Sequence, residues 1–142
     1  MFHINFNTIT QGTVNNLVSI HKESFENHWT EKDFINLLSN SFVHGILSPQ
    51  GFILYTLIEC EAEILTICIK EQDRKKGYAS QLINCLLNTH PELTKIFLEV
   101  NQTNEAAQAL YKKFGFEQIG IRKNYYNTSK GPQNALTFVL KL

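Results

Sequence analysis

Hydrophobic positions recur along the chain with two different periods, and the switches between them mark the elements. Phe2, Ile4 and Phe6 alternate with polar neighbours, the period of a half-buried strand. Within Thr10–Phe25, Val14, Leu17, Val18 and His21 fall at helical spacing and predict an amphipathic helix. Thr30 followed by Asp33 resembles a helix start with an acidic first turn, and Phe34, Leu37 and Leu38 supply its apolar stripe. The period then shortens. Phe42–Ser48, a Pro49-Gln50-Gly51 turn, Gly51–Cys60 and Glu63–Lys70 read as an antiparallel meander.

After Lys70 the helical period returns. Gly77–Asn88 carries Ala79, Leu82, Ile83, Leu86 and Leu87 on one face. Thr94–Val100 reads as a strand, Asn104–Phe114 as a helix ended by Gly115, and Phe116–Ile121 as a further strand. Asn127–Gln133 reads as a polar loop and Ala135–Leu142 as a closing strand. Strand, helix, strand across 63–100 is a βαβ unit, whose two strands are expected to lie parallel. The pattern predicts one α/β domain over residues 1–142 with a mixed sheet.

Composition narrows the function classes. With 142 residues, 43% hydrophobic and 18% charged, the chain has the balance of a folded domain. Thirteen Lys+Arg balance thirteen Asp+Glu, which argues against a general nucleic-acid binder. The balance hides a division. Up to Glu63 there are two bases and seven acids, and from Ile64 onward eleven bases and six acids. Such asymmetry suggests that the basic half holds an anion. Cys60, Cys68 and Cys85 form no paired motif, which fits buried thiols in a reducing cytosol. The five histidines show no metal-ligand spacing, so no metal is expected. No secretory leader opens the sequence, and the apolar run Phe52–Ile58 is far too short to span a bilayer. A cytoplasmic protein that binds neither membrane nor nucleic acid is expected; its oligomeric state is not written in these patterns.

The richest segment is Glu71-Gln72-Asp73-Arg74-Lys75-Lys76-Gly77-Tyr78-Ala79-Ser80, between a strand end and a long helix. A helix N-terminus presents unpaired amides and a positive dipole end, and three consecutive cations add to that field. Gly77 lets the backbone approach a ligand, and Ala79 keeps the first turn uncluttered. A phosphate or pyrophosphate is the natural guest. A solvated basic helix start would look the same, and the segment is neither a Walker loop nor a dinucleotide fingerprint.

Two further positions can carry chemistry. In Ile96–Val100, Phe97 and Glu99 point to the sheet face opposite Ile96, Leu98 and Val100. A carboxylate beside Phe97 in so apolar a strand is partly desolvated, which favours its taking up a proton and makes it a candidate general base. An exposed carboxylate at a strand edge fits the same pattern. Asn104 and Tyr111 lie two helical turns apart on one face, where Asn104 can cap the helix and offer its amide to a ligand. Tyr111 is either a proton donor or a packing residue. Cys68 could in principle carry an acyl group, but no base stands beside it in sequence and it fits as a small apolar strand residue.

Arg74-x-x-Gly77-x-Ala79 resembles the acyl-CoA signature of the GNAT N-acetyltransferase superfamily. Leu98-Glu99-Val100-Asn101, Asn104-Glu105-Ala106-Ala107, Ala109–Phe116 and Arg122-Lys123-Asn124-Tyr125-Tyr126 are similar to its RimI subfamily, as is Trp29-Thr30-Glu31-Lys32. The likeness is dense from Ile64 onward. It implies a mixed, mostly antiparallel sheet of about seven strands, a parallel βαβ acyl-CoA core and about four helices. It also implies acetyl transfer from acetyl-CoA to an amine; RimI enzymes acetylate the N-terminal alanine of a small-subunit ribosomal protein. By the same resemblance Glu99 is the base and Tyr111 the acid. Ile67, Cys68 and Ile69 would hold the acetyl-pantetheine arm, Arg74, Lys75, Lys76, Gly77, Tyr78, Ala79 and Ser80 the pyrophosphate, and Asn104 a further cofactor contact. Tyr125 and Tyr126 stand where related enzymes meet an incoming peptide. Two departures stand out: Gln133-Asn134 replaces the subfamily's acidic pair before Ala135, and His28 replaces its proline before Trp29. A lysine side chain or small-molecule amine as acceptor stays open, as does an acyl-CoA-binding module without catalysis.

Overall fold

The two periods resolve into seven strands and four helices in the computed structural model, which describes Met1–Leu142. In chain order they are β1 (Phe2–Ile4), α1 (Gln11–Ser24), α2 (Glu31–Leu38), β2 (Val43–Ser48), β3 (Gly51–Ile58), β4 (Glu61–Ile69), α3 (Tyr78–Thr89), β5 (Lys95–Asn101), α4 (Glu105–Phe114), β6 (Glu117–Thr128) and β7 (Gly131–Lys141). A single 3-10 turn, Glu71–Asp73, separates β4 from α3.

Local chemistry explains the boundaries. Thr10 caps α1 by accepting from the Thr13 amide. Thr30 and Asp33 form a reciprocal capping box on α2: the Asp33 amide donates to Thr30 Oγ1 at 3.2 Å and the Thr30 amide to Asp33 Oδ2 at 2.8 Å. Pro49 and Gln50 make the β2–β3 turn, while Gly51 answers a different demand. A Cβ there would stand 2.1 Å from the Cys68 carbonyl oxygen, so only glycine lets β3 start this close to β4.

The strands form one sheet in the order β1-β2-β3-β4-β5-β7-β6, antiparallel except for the β4–β5 pair. Two cores hold it. Against one face, Val14, Leu17 and Ile20 of α1 and Phe34 and Leu38 of α2 pack on Ile4, Leu47, Phe52 and Leu54. On the other face, Leu82, Ile83 and Leu86 of α3 are fully buried with Ile96, Leu98 and Phe138. Each such side chain contributes about 1.5–3 kcal/mol on leaving water. The first face of β5, β7 and β6 is left without a helix, and there Glu99 neighbours Thr137, and Ala135 lies between Asn101 and Arg122.

The parallel pair sets up the site. β4 and β5 are in register only from Glu61 with Lys95 to Ile64 with Leu98. One extra residue, Leu65, bulges from β4 where Ile64 faces Tyr55 and Thr66 faces Leu54. Beyond the bulge β4 runs on to Ile69 and β5 to Asn101 without pairing, which leaves a wedge between them.

One expected loop is a strand. Most of Asn127–Gln133 belongs to β6 and β7, which close on a tight turn at Ser129-Lys130. β6 is the outermost strand and is exposed along nearly its whole length, so no apolar alternation marks it beyond Ile121.

Candidate active site

The mouth of the wedge at the start of α3 is built from backbone. Lys75 and Gly77 both take the left-handed conformation, with φ of +62° and +86°. Lys76 between them is not left-handed, and an alternation of hand along the backbone turns successive amides toward one point, the arrangement that makes an anion nest. Gly77 is the residue before α3 and gives it no side-chain cap, so the first-turn amides of Tyr78, Ala79 and Ser80 have no side-chain acceptor. This suits the phosphates of an acyl-CoA.

The cations divide in their roles. The Arg74 guanidinium bonds the Ile69 carbonyl at 3.1 Å, the Glu23 carbonyl at 3.0 Å and Ser24 Oγ at 3.2 Å. Its side chain therefore ties the end of α1 to the end of β4. Glu23 completes that tie by accepting from the Glu71 amide at 2.9 Å. Lys76 folds back onto the Gln72 carbonyl at 3.0 Å. Lys75 carries no ion pair or hydrogen bond of its own side chain.

Deeper in, strand direction sorts the three β4 residues. The Lys70 amide donates to the Gln50 carbonyl, on the β3 side, and amides alternate along a strand. The Cys68 amide therefore points to β3, while those of Ile67 and Ile69 point into the wedge. The Cys68 thiol is 2% exposed, lies 3.4 Å from Thr66 Oγ1, and is pushed up to about 11 by burial. A thiol so held stays protonated near neutrality and is no nucleophile.

Tyr111 faces the wedge from α4. Its ring is 5% exposed and packs on Phe116 and Phe138, at centroid distances of 5.6 and 6.5 Å. Burial raises its hydroxyl above the usual phenol range, with Cys68 and Tyr126 adding to the effect. It is therefore a protonated donor at neutral pH. Asn104 caps α4 through Oδ1, which accepts from the Ala107 amide at 3.1 Å, and its Nδ2 remains unused.

Glu99 stands on the opposite side, on the sheet face without a helix. Its side chain is 19% exposed, and Oε2 is buried with no hydrogen-bond partner. Arg122 Nε lies 3.2 Å from that oxygen without making a hydrogen bond to it, so the charge is countered and the carboxylate is not engaged as an acceptor. The guanidinium carbon sits 5.1 Å from the centre of the Tyr125 ring, which in turn meets Tyr126 edge-on. Burial first, then the Glu99 and Tyr125 charges, push the Tyr126 hydroxyl up to about 12.

Long-range contacts complete the rim. Asn27 Nδ2 donates to the Asn127 carbonyl at 2.6 Å, and the Ser129 amide donates to Glu26 Oε1 at 3.0 Å. The loop between α1 and α2 is thereby clasped to the tip of the β6–β7 hairpin. His21 anchors that loop: its ring stacks between Phe25 and Trp29 at 4.5 and 4.6 Å, and Nδ1 accepts from the Trp29 amide at 3.0 Å. Burial, helped by His28, lowers His21 to about 4, so it is neutral.

The two residues that depart from the acidic pair are occupied by structure. Gln133 Oε1 accepts from Asn101 Nδ2 at 2.6 Å, while Asn134 joins Gln102 Oε1 and the Asn124 amide, each at 3.0 Å. These amides bind the β5–α4 turn to the hairpin. Neither the clasp nor Arg122 was assigned a site role from the sequence. Their partners lie 23 to 103 residues away, and no local spacing reveals those pairings.

The chain matches the acetyltransferase (GNAT) family model over residues 14–116. The Haemophilus ducreyi ribosomal protein bS18-alanine N-acetyltransferase is 30% identical over 143 residues, covering 95% of this chain and 98% of that protein. The crystal structure of the Escherichia coli ribosomal-protein-S18-alanine N-acetyltransferase superposes with a TM-score of 0.85 at 22% identity, covering 99% of this chain and 92% of that one. Arabidopsis thaliana NAA60 in complex with acetyl-CoA superposes with a TM-score of 0.78 at 19% identity, over 94% and 96% of the two chains. With its wedge, its uncapped helix start and these relatives, the chain belongs to the GNAT family of acetyl-CoA-dependent N-acetyltransferases, among the RimI-like members.

Proposed function

We propose that this chain acetylates the α-amino group of a protein N-terminus, with the alanine terminus of a small-subunit ribosomal protein as first candidate. The observation that carries the reading is the Glu99 carboxylate on β5, whose buried Oε2 has no hydrogen-bond partner, together with the buried, protonated Tyr111 on α4. One group can take a proton and the other can give one. The clasped rim supports a chain end as acceptor, because the Asn27–Asn127 and Glu26–Ser129 bonds tie the α1–α2 loop to the hairpin tip and narrow that side for a bulkier approach. The names of the relatives support alanine.

Acetyl-CoA supplies the activated acetyl group. Lys75 and the first-turn amides of Tyr78, Ala79 and Ser80 hold its phosphates, with Gly77 giving the backbone its turn. The wedge-facing backbone of Ile67 and Ile69 orients the acyl arm, and the Ile69 amide is set to stabilise negative charge on its carbonyl oxygen. Asn104 Nδ2 adds a polar contact. An α-amine has a pKa of about 8 and arrives largely protonated at neutral pH. Glu99 accepts that proton directly or through one water, and the freed nitrogen attacks the carbonyl carbon. Tyr111 donates its hydroxyl proton to the departing sulfur, and the second proton released by the acylated nitrogen restores the phenol as the amide forms. Transfer is direct, since Cys68 stays a thiol.

The test is acetyl-CoA turnover with peptides that begin in alanine, set against polyamines. Peptide acetylation that exceeds polyamine acetylation, and that collapses in Glu99→Gln, supports the proposal. Preference for polyamines would overturn it.

A further inference from the structure

The Glu99 oxygen raises a question that the proton-transfer scheme leaves open: what holds an unfilled carboxylate in position before the acceptor arrives. A buried anion without a counter-charge is costly, and one locked in good hydrogen bonds is no longer free to take a proton. Arg122 meets both demands. It sits at 3.2 Å, close enough to counter the charge, without making a hydrogen bond to Oε2. It reaches Glu99 from β6, across β7, where Ala135 beside it in register offers almost no side chain in the way.

The guanidinium also has a second resting place. Its side chain is 59% exposed, and its plane of charge lies 5.1 Å from the Tyr125 ring. An arriving ammonium can meet the part of the Glu99 side chain that is exposed while Arg122 stays over Tyr125 and beside the buried Oε2. We propose that Arg122 is the positioning residue of Glu99: held over Tyr125, it fixes and charge-balances the carboxylate without engaging it in a hydrogen bond, so that the carboxylate stays free to take the acceptor's proton. This rests on the reading of Glu99 as the base. Arg122 acts only through Glu99, and its effect is confined to the acceptor side of the wedge.

Steady-state kinetics of the full chain with an alanine-led peptide and acetyl-CoA test it, with Arg122→Gln, Arg122→Lys and Glu99→Gln compared. Arg122→Gln is expected to lower kcat about ten- to a hundredfold, the scale of a mispositioned catalytic group, and to leave the KM for acetyl-CoA within about twofold. Arg122→Lys keeps a cation and is expected to restore most of kcat, which a purely structural surface contact would not require. An inactive Glu99→Gln beside an Arg122→Gln of unchanged kcat, or a lysine that rescues no better than glutamine, overturns the assignment of Arg122 alone. Full turnover by Glu99→Gln overturns the assignment of the base, and that of Arg122 with it.

Discussion

The two sides of the wedge are made by different means. The cofactor side is built from consecutive backbone: two left-handed residues, an uncapped helix start and strand amides past a bulge. The acceptor side is built from side chains brought together over long distances in sequence, Glu99 with Arg122, Glu26 with Ser129, and Asn27 with Asn127. Backbone chemistry is tolerant of the side chains around it, so one cofactor cradle can serve many acceptors. Side-chain chemistry is specific, and selection of the amine resides there.

That contrast breaks most visibly at the chemistry itself. Glu99→Gln and Tyr111→Phe are each expected to lower kcat by about 10² to 10⁴, measured with acetyl-CoA and an alanine-led peptide, while acetyl-CoA binding persists. Cys68→Ala is expected to stay active, because the thiol takes no part.

A smaller effect tests the anchor of the acceptor rim. His21 has a folded pKa of about 4, below its usual 6.5, so the fold favours its neutral form. The stability this contributes is fully present above pH 6.5 and is lost as pH falls from 6.5 toward 4, at most about 3 kcal/mol. Thermal melting across that window should fall more steeply for the parent than for His21→Gln. Asp33, held below the usual carboxylate range by its bonds to Thr30, loses its capping role at still lower pH.

Gly77→Ala probes the cofactor side alone. A side chain at φ of +86° costs about 1–2 kcal/mol, although open space surrounds the position. The expected result is a modest fall in Tm with a several-fold rise in KM for acetyl-CoA and little change in peptide KM. Smallest of all is Asn27→Ala, which removes one exposed hydrogen bond worth about 1 kcal/mol. It should leave the acetyl-CoA KM untouched and raise the acetylation of lysine side chains relative to the α-amine.

The same division governs what could be read from the sequence. The helices with apolar stripes, the β2–β3–β4 meander and the parallel β4–β5 pair all follow from periodicity, and the capping pair Thr30–Asp33 from its spacing. The segment around Gly77 was legible because its chemistry is local. β6 past Ile121 was not: an edge strand wet on both faces carries no alternation, so the polar run through Tyr126 looks like a loop. Only the charge of Arg74 is visible in sequence; its three bonds to Ile69, Glu23 and Ser24 depend on where α1 ends in space. Gln133 and Asn134 looked like a lost acidic site and are a hydrogen-bonded strut between the hairpin and the β5–α4 turn.

The central claim is that the acceptor is a chain end. One peptide that begins in alanine and carries an internal lysine, incubated with the protein and acetyl-CoA beside the same peptide with a blocked N-terminus, tests it by mapping the acetylated nitrogen with mass spectrometry. Acetyl is expected on the alanine α-nitrogen of the free peptide and not on the blocked one. Equal acetylation of the lysine in both would contradict it.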